Sequence, residues 1–490
     1  MPHSTRENES LNYPTLQLLI DGQWLDAKDR HTRDVRDPAT GERLGLLPLA
    51  TEADVDRAAQ AAVRAFASWR RVSALDRARL LQAVAMRMRE QSQSLAEILT
   101  REQGKTLREA RGEIAGAADT FEWMAEEGKR AYGRTVPSRS SDTEQLVLLE
   151  PLGAVAAFAP WNFPAVLAVR KVAAALASGC SVVLKPAEET PGIMLAIARI
   201  CQECGLPPGV LNVLYGTPET LSRQLIDHDG IAKISFTGSV AVGRHLSALA
   251  GARMKKITLE LGGHSPVIVD RGVDVPALAR AAAAAKFRNA GQLCHAPTRF
   301  IVHDSLADDF TAALTAEARA LRLGSGLDET TQMGPLTHER RLDAMQAFCD
   351  DAAAQGGRIL CGGRRAQALP NGLFFEPTVI GDADNAMLAM REEPFGPLAL
   401  VSRFEQLEQA VAIANSVDLG LGAYVFTSAY ETARQLQAEI EAGSISFNTF
   451  SISPPEMPFA GWKQSGLGVE MGIEGLREYT KVKSVIRAPL

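Results

Sequence analysis

With 490 residues, 46% hydrophobic and 22% charged, the chain can fill two or three packed units and has an ordinary globular make-up. A formal net charge of −6 argues against a nucleic-acid footprint and gives no membrane-surface signal. The six cysteines, at 180, 201, 204, 294, 349 and 361, lack framework spacing, and the eight histidines lack ligand spacing. Unpaired thiols in a reducing compartment and no bound metal are therefore expected.

The start, "MPHSTRENES", has no apolar signal core, which reads as a cytoplasmic protein. The run 51–69 reads as a helix with Thr51 as N-cap and Val55, Ala59, Ala62, Val63 and Phe66 on one face. Two more amphipathic runs follow at 74–98 and 104–132. The segment 134–150 is polar and turn-rich, then β-like, as a projecting ribbon or a surface loop would be.

From residue 151 short apolar runs alternate with helices: "AVAAFA", "SVVLK", "GVLNVLY", "AKISF" and "KITLE". This predicts βαβ units and a parallel sheet covered on both faces, with ligands beyond the carboxyl ends of its strands. The apolar stretch 152–169 is nearly bilayer-long, but Pro160, Asn162 and Pro164 break it into strand, loop and helix. Thr190-Pro191 reads as an N-cap and first helical residue. Cys201 and Cys204 form a C-x-x-C near the end of that helix, read as two buried thiols. An alanine-rich helix over 274–290 leads to Cys294, and the tail "EYTKVKSVIRAPL" is β-like, able to pair with 134–150.

Several strand ends carry chemistry. No complete G-x-G-x-x-G is present, yet "FTGS" puts Gly238 at a strand-to-helix turn whose free N–H groups suit a phosphate. In "LKPAEET", Lys185 could meet a phosphate or ribose, and Glu188 could accept from ribose hydroxyls while repelling a 2′-phosphate. Their plain alternative is an incidental ion pair. Asn162 in "PWNFP" offers a rigidly held amide as an oxyanion donor, or is merely a turn asparagine. Glu260 in "LELGGHSP" suits a general base, or an edge-of-strand salt bridge. A lone Cys294 is more often packing than nucleophile. Beside an oxyanion donor and a base it becomes one member of a working set.

These motifs together resemble the aldehyde dehydrogenase superfamily. "PWNFP", "KPAEET", "FTGS", "LELGG", "NAGQLC", "EEPFGP" and "GWKQSGLG" stand in the family's order across nearly the whole chain. The resemblance implies an α/β fold with a Rossmann-like NAD(P)-binding domain (1–133 and 151–262), an α/β catalytic domain (263–462), and an oligomerisation ribbon and tail (134–150 and 463–490). It implies Cys294 as nucleophile, Glu260 as base, and an oxyanion hole formed by Asn162 with the Cys294 backbone N–H. Trp161, Lys185, Glu188, Gly238 and Ser239 would hold the adenosine half and pyrophosphate of NAD, favoured, or NADP. Glu393 and Phe395 would hold the nicotinamide half. Homodimers or homotetramers are implied too.

Within the family the chain is most similar to succinate-semialdehyde dehydrogenases, and also to the 2-oxoglutarate-semialdehyde group. Arg170 and Arg288 match the family's carboxylate binders, and Ser453 is a candidate to complete that site. Helix-surface ion pairing is the alternative for both arginines. The loop departs from the succinate pattern at Phe450 and Pro454-Pro455, and Ala296 stands where a second cysteine is frequent. Succinic semialdehyde is the favoured substrate, with 2-oxoglutarate semialdehyde or a broad set of aromatic and aliphatic aldehydes as alternatives. Two further readings stay open: a CoA-acylating relative, which generally lacks the Glu260 base, and a catalytically silent binding homologue.

Overall fold

The computed structural model describes residues 13–369 and 371–489. The opening "MPHSTRENES" lies outside the described residues.

Two sheets organise the molecule. The first has eight strands in the order Gln23–Leu25, Leu18–Ile20, Leu211–Val213, Ser181–Lys185, Ala154–Phe158, Ile231–Thr237, Lys256–Glu260 and Gly466–Leu467. Its five central strands, from Leu211–Val213 to Lys256–Glu260, run parallel. Ala154–Phe158 and Ser181–Lys185 are buried at every residue, as strands covered on both faces must be. The chain builds outward from Ala154–Phe158 in one direction, then crosses back to Ile231–Thr237 on its other side. That reversal opens a crevice at the carboxyl ends of these two strands. The second sheet has seven strands, six of them parallel, with Pro266–Val269 and Arg299–His303 side by side near its middle.

A third, three-stranded sheet pairs the tail Thr480–Arg487 with Glu144–Pro151 along eight residues, and Arg134–Thr135 flanks it. The pairing anticipated between tail and ribbon is therefore present.

The helical first third differs in detail from its periodicity. Thr51 caps Glu52–Trp69 with a reciprocal capping box, but Val63 is exposed and Phe66 half-buried. Val55, Ala59 and Ala62 are buried as expected, and Ala58, Ala61, Ala65 and Trp69 complete the buried face, because small alanines let the helix sit close to the sheet. The run 74–98 is two helices, Ala74–Glu90 and Ser92–Gln103, separated at Gln91. The next helix spans Leu107–Lys129, after its own Thr106 capping box. Thr190 occupies the N-cap position before Pro191, without a side-chain capping bond. On the same helix Cys201 is buried but Cys204 only partly so, and both are free. The stretch 152–169 resolves into a strand, a turn and the start of the helix Pro164–Ser178. No helix among the described residues is long and apolar enough to cross a membrane.

Candidate active site

Four neighbouring strands of the first sheet end in chemistry. Ser181–Lys185 leads to Glu188, Ala154–Phe158 to Trp161 and Asn162, and Ile231–Thr237 to Gly238 and Ser239, while Lys256–Glu260 ends on Glu260 itself. The parallel sheet thus puts residues far apart in sequence on one rim.

The nucleophile candidate arrives from the second sheet. Its alanine-rich helix stops at Lys286, short of the expected 290, and a 3-10 turn covers Arg288–Gly291. Asn289, Ala290 and Gly291 all have positive φ, at 49°, 51° and 72°. This left-handed run reverses the chain and delivers Cys294, half-buried, to the cleft.

The crevice continues into a cavity of about 390 Å³, whose walls include Trp161, Ser239, Glu260, Cys294, Glu393 and Phe395. Glu260 is 2% exposed, and neither carboxyl oxygen has a hydrogen-bond partner. Burial, reinforced by nearby Glu470, pushes its carboxyl up to about 7, against the opposing pull of Lys171. Burial and the adjacent Glu260 push the Cys294 thiol well above its ordinary range. Thiol and carboxyl thus line one cavity, each pushed toward its neutral form by burial. Glu393, which accepts from the Gly263 N–H at 3.1 Å, is lifted by burial to about 8.

Asn162 is 3% exposed and held from behind. Its backbone carbonyl accepts from Lys105 Nζ at 2.8 Å and from Asn289 Nδ2 at 3.0 Å. Lys105 is itself buried against Glu113, whose carboxylate also accepts from the Ala165 N–H at 2.8 Å. One N–H of the Asn162 amide donates to the Gln292 carbonyl at 3.0 Å, two residues before the cysteine. Among the described residues the other N–H has no hydrogen-bond partner, which is what an oxyanion donor requires. Lys105 and Glu113 were not singled out in the sequence, where nothing local marks a charge in a helical run as buried. Only their complete burial exposes the role.

On the far side of Cys294 a second cavity, about 250 Å³, is walled by Arg170, Arg288, Ser453, Phe163, Phe450 and His295. Arg170 donates through Nη2 to Ser453 Oγ at 3.1 Å, and its Nε is buried without a partner. Its guanidinium carbon lies 5.3 Å from the Phe459 ring centroid. Arg288 is exposed at the mouth, its guanidinium carbon likewise 5.3 Å from the centre of the Phe163 ring. Both arginines and Ser453 thus meet at the cavity that Cys294 lines. His295 was not anticipated: burial, then the two arginines, drives its imidazole down to about 3, so it stays neutral.

The adenosine-side candidates line a cleft of about 780 Å³ that holds Trp161, Lys185, Glu188 and Gly238. Lys185 and Glu188 form an ion pair at 2.6 Å, and Glu188 also accepts from the Gly216 N–H at 3.2 Å. The ion pair expected as an alternative is real, but it is 5–7% exposed and sits in the cleft wall. Gly238 serves close approach instead of an unusual turn, since an added Cβ would lie 2.4 Å from the Phe236 ring. Ser239 caps the Val240–Ala252 helix and faces the Glu260 cavity. Trp161 lines both spaces, edge-on to Phe395 with centroids 5.7 Å apart, so it divides them more than it belongs to one.

Comparison with known proteins matches residues 24–485 to the model of the aldehyde dehydrogenase family. The chain belongs to the aldehyde dehydrogenase family. It is thereby an oxidoreductase enzyme with the aldehyde dehydrogenase fold. Among its relatives is 4-(hydroxymethyl)benzenesulfonate dehydrogenase TsaD1 of Comamonas testosteroni, 44% identical over 96% of this chain and 98% of that protein. Another is succinate-semialdehyde dehydrogenase [NADP(+)] GabD of Escherichia coli strain K12, 40% identical over 95% of this chain and 96% of that protein. A crystal structure of succinate-semialdehyde dehydrogenase from Burkholderia pseudomallei superposes with a TM-score of 0.95 at 41% identity, covering 99% of this chain and 100% of that one.

Proposed function

We propose that this aldehyde dehydrogenase oxidises an aldehyde whose far end carries an oxyanion, converting it to the acid with NAD or NADP. The observation that carries this reading is one cavity in which Arg170, Arg288 and Ser453 share walls with Cys294 and Asn162. Arginine pairs well with carboxylate or sulfonate because its planar fork makes parallel charge-assisted bonds. Succinic and 2-oxoglutarate semialdehydes satisfy that requirement. So would a sulfonate, the group in the name of the Comamonas relative.

The residues fit a dinucleotide. Lys185, Glu188, Gly238, Ser239 and Trp161 would hold its adenosine and pyrophosphate, with Glu393 and Phe395 at the nicotinamide end. When bound, the dinucleotide supplies the hydride acceptor. Glu188 favours NAD by repelling a 2′-phosphate, while its pairing with Lys185 tempers that repulsion and leaves NADP admissible.

The chain's own residues do the rest. Glu260 takes the thiol proton, and the Cys294 thiolate adds to the aldehyde carbon. The free Asn162 N–H stabilises the resulting oxyanion. Loss of hydride from this adduct leaves a thioester on Cys294. After releasing that proton to solvent, Glu260 takes a proton from a water that attacks the thioester, and the acid leaves as Cys294 departs as thiolate. Retention of Glu260 disfavours a CoA-acylating reaction. The three-stranded sheet, with Val482 and Ile486 each 69% exposed, is proposed as the surface through which copies form dimers or tetramers.

The test follows NADH or NADPH absorbance with succinic and 2-oxoglutarate semialdehydes against benzaldehyde and butanal. Acidic aldehydes should be preferred, and Arg170→Leu or Arg288→Leu should raise their KM about 10- to 100-fold, the ~1.5–3 kcal/mol of a charged hydrogen bond. Equal rates with acidic and neutral aldehydes would overturn the arginine assignment. Cys294→Ala should abolish oxidation while cofactor still binds.

A further inference from the structure

Gly112 and Gly116 stand one turn apart on the Leu107–Lys129 helix, and both line the cavity shared by Cys294 and the two arginines. Glycine weakens a helix interior relative to alanine, so it usually persists where something packs too close for a Cβ. Gly128 on the same helix has such a reason: an added Cβ would lie 3.1 Å from the Ala177 carbonyl oxygen. At Gly112 and Gly116 a Cβ would meet nothing within 4 Å. Their missing side chains leave open space where the helix borders the cavity.

The walls of that space suit a flat apolar body. Phe163 and Phe450 line it with aromatic carbon, Lys105 and Arg288 lying over the Phe163 ring, and Leu167, Leu293 and Ile452 add aliphatic surface. The cavity measures about 250 Å³, and one on the order of 150 Å³ suffices for benzene. His295 stays uncharged, so positive charge comes only from the arginines on this wall.

We propose that the group between the aldehyde and the distal oxyanion is an aromatic ring, seated in the bay that Gly112 and Gly116 leave open. The substrate class is an aryl aldehyde carrying a ring carboxylate or sulfonate. This rests on the reading of the Cys294–arginine cavity given above.

The test measures kcat/KM of the full chain, with NAD or NADP, for 4-carboxybenzaldehyde, 4-sulfobenzaldehyde, benzaldehyde and succinic semialdehyde. At least one ring acid should exceed both benzaldehyde and succinic semialdehyde by about tenfold, a difference within reach of pocket contacts. Which ring acid leads identifies the oxyanion. Gly112→Leu and Gly116→Leu should cut the ratio of ring acid to succinic semialdehyde by roughly tenfold, through KM. Gly112→Ala and Gly116→Ala should melt at or above the parent temperature, since nothing packs there. Succinic semialdehyde outpacing both ring acids would overturn the aromatic spacer and leave the oxyanion reading standing. Alanine variants that melt lower would show a packing role and overturn the bay. No turnover of any aldehyde would overturn the oxyanion reading itself.

Discussion

Glu260 has a buried carboxyl with no hydrogen-bond partner, lifted to about 7. As a base it works only when ionised, so oxidation should accelerate as pH rises through about 7. Glu260→Gln should abolish that limb and slow thioester hydrolysis on the order of 10²- to 10⁴-fold, seen as a burst in rapid kinetics. Stability runs the other way. A carboxyl raised from 4.5 to about 7 contributes its full stability below about 4.5 and loses it as pH climbs through about 7. The loss is ~3 kcal/mol from a shift of this size. Glu260→Gln should therefore melt above the parent at pH 8, and that gain should vanish near pH 4.5. Glu393 and Glu102 are shifted in the same direction and add to this loss, while His295 and His338, lowered to about 3 and about 4, work against it as pH rises. At this scale the sequence showed which letters could do chemistry, because Cys294, Glu260 and Asn162 stand in distinctive motifs. It did not show what holds them, since the partners Lys105 and Glu113 are distant in the chain and look like surface charges.

At the scale of elements, the decisive piece is the turn between the alanine-rich helix and Cys294. Three successive left-handed residues are an unusual conformation, and Gly291 sits where an added Cβ would come within 2.1 Å of the Gly396 carbonyl oxygen. Gly291→Ala must push this turn away from the "EEPFGP" loop and displace the nucleophile. We expect a fall in kcat of about 10²-fold for an ångström of misplacement, with cofactor binding, measured by fluorescence titration, less affected. Periodicity alone carried the helix on to residue 290, because Arg288 and Asn289 have no helix-breaking chemistry of their own. The stop is imposed by tertiary contacts: Asn289 donates its backbone N–H to Glu109 at 2.8 Å and its side-chain amide to Asn162. The parallel strands were easier to read, since full burial writes a continuous apolar run.

For the molecule as a whole, the tail is structural. Thr480–Arg487 covers one edge of Glu144–Pro151, and Lys483 and Arg487 pair with Glu150 and Glu144 across it. Deleting residues 480–490 should expose that edge and yield disordered association or aggregation in size-exclusion chromatography. The same deletion leaves Cys294 and both of its cavities in place. This long-range pairing was legible only as two β-like segments of matching character, because no local signal sets which distant strands meet.

The resting state of Cys294 has a consequence for the enzyme's survival. Peroxides and alkylating reagents take the thiolate, and a thiol held well above its ordinary range offers little of it. With Ala296 nearby in place of a second cysteine, an oxidised Cys294 could not be rescued by closing a local disulfide. Thiol should thus be favoured over thiolate, so peroxide should inactivate the enzyme more slowly at neutral than at alkaline pH, measured as the rate of activity loss.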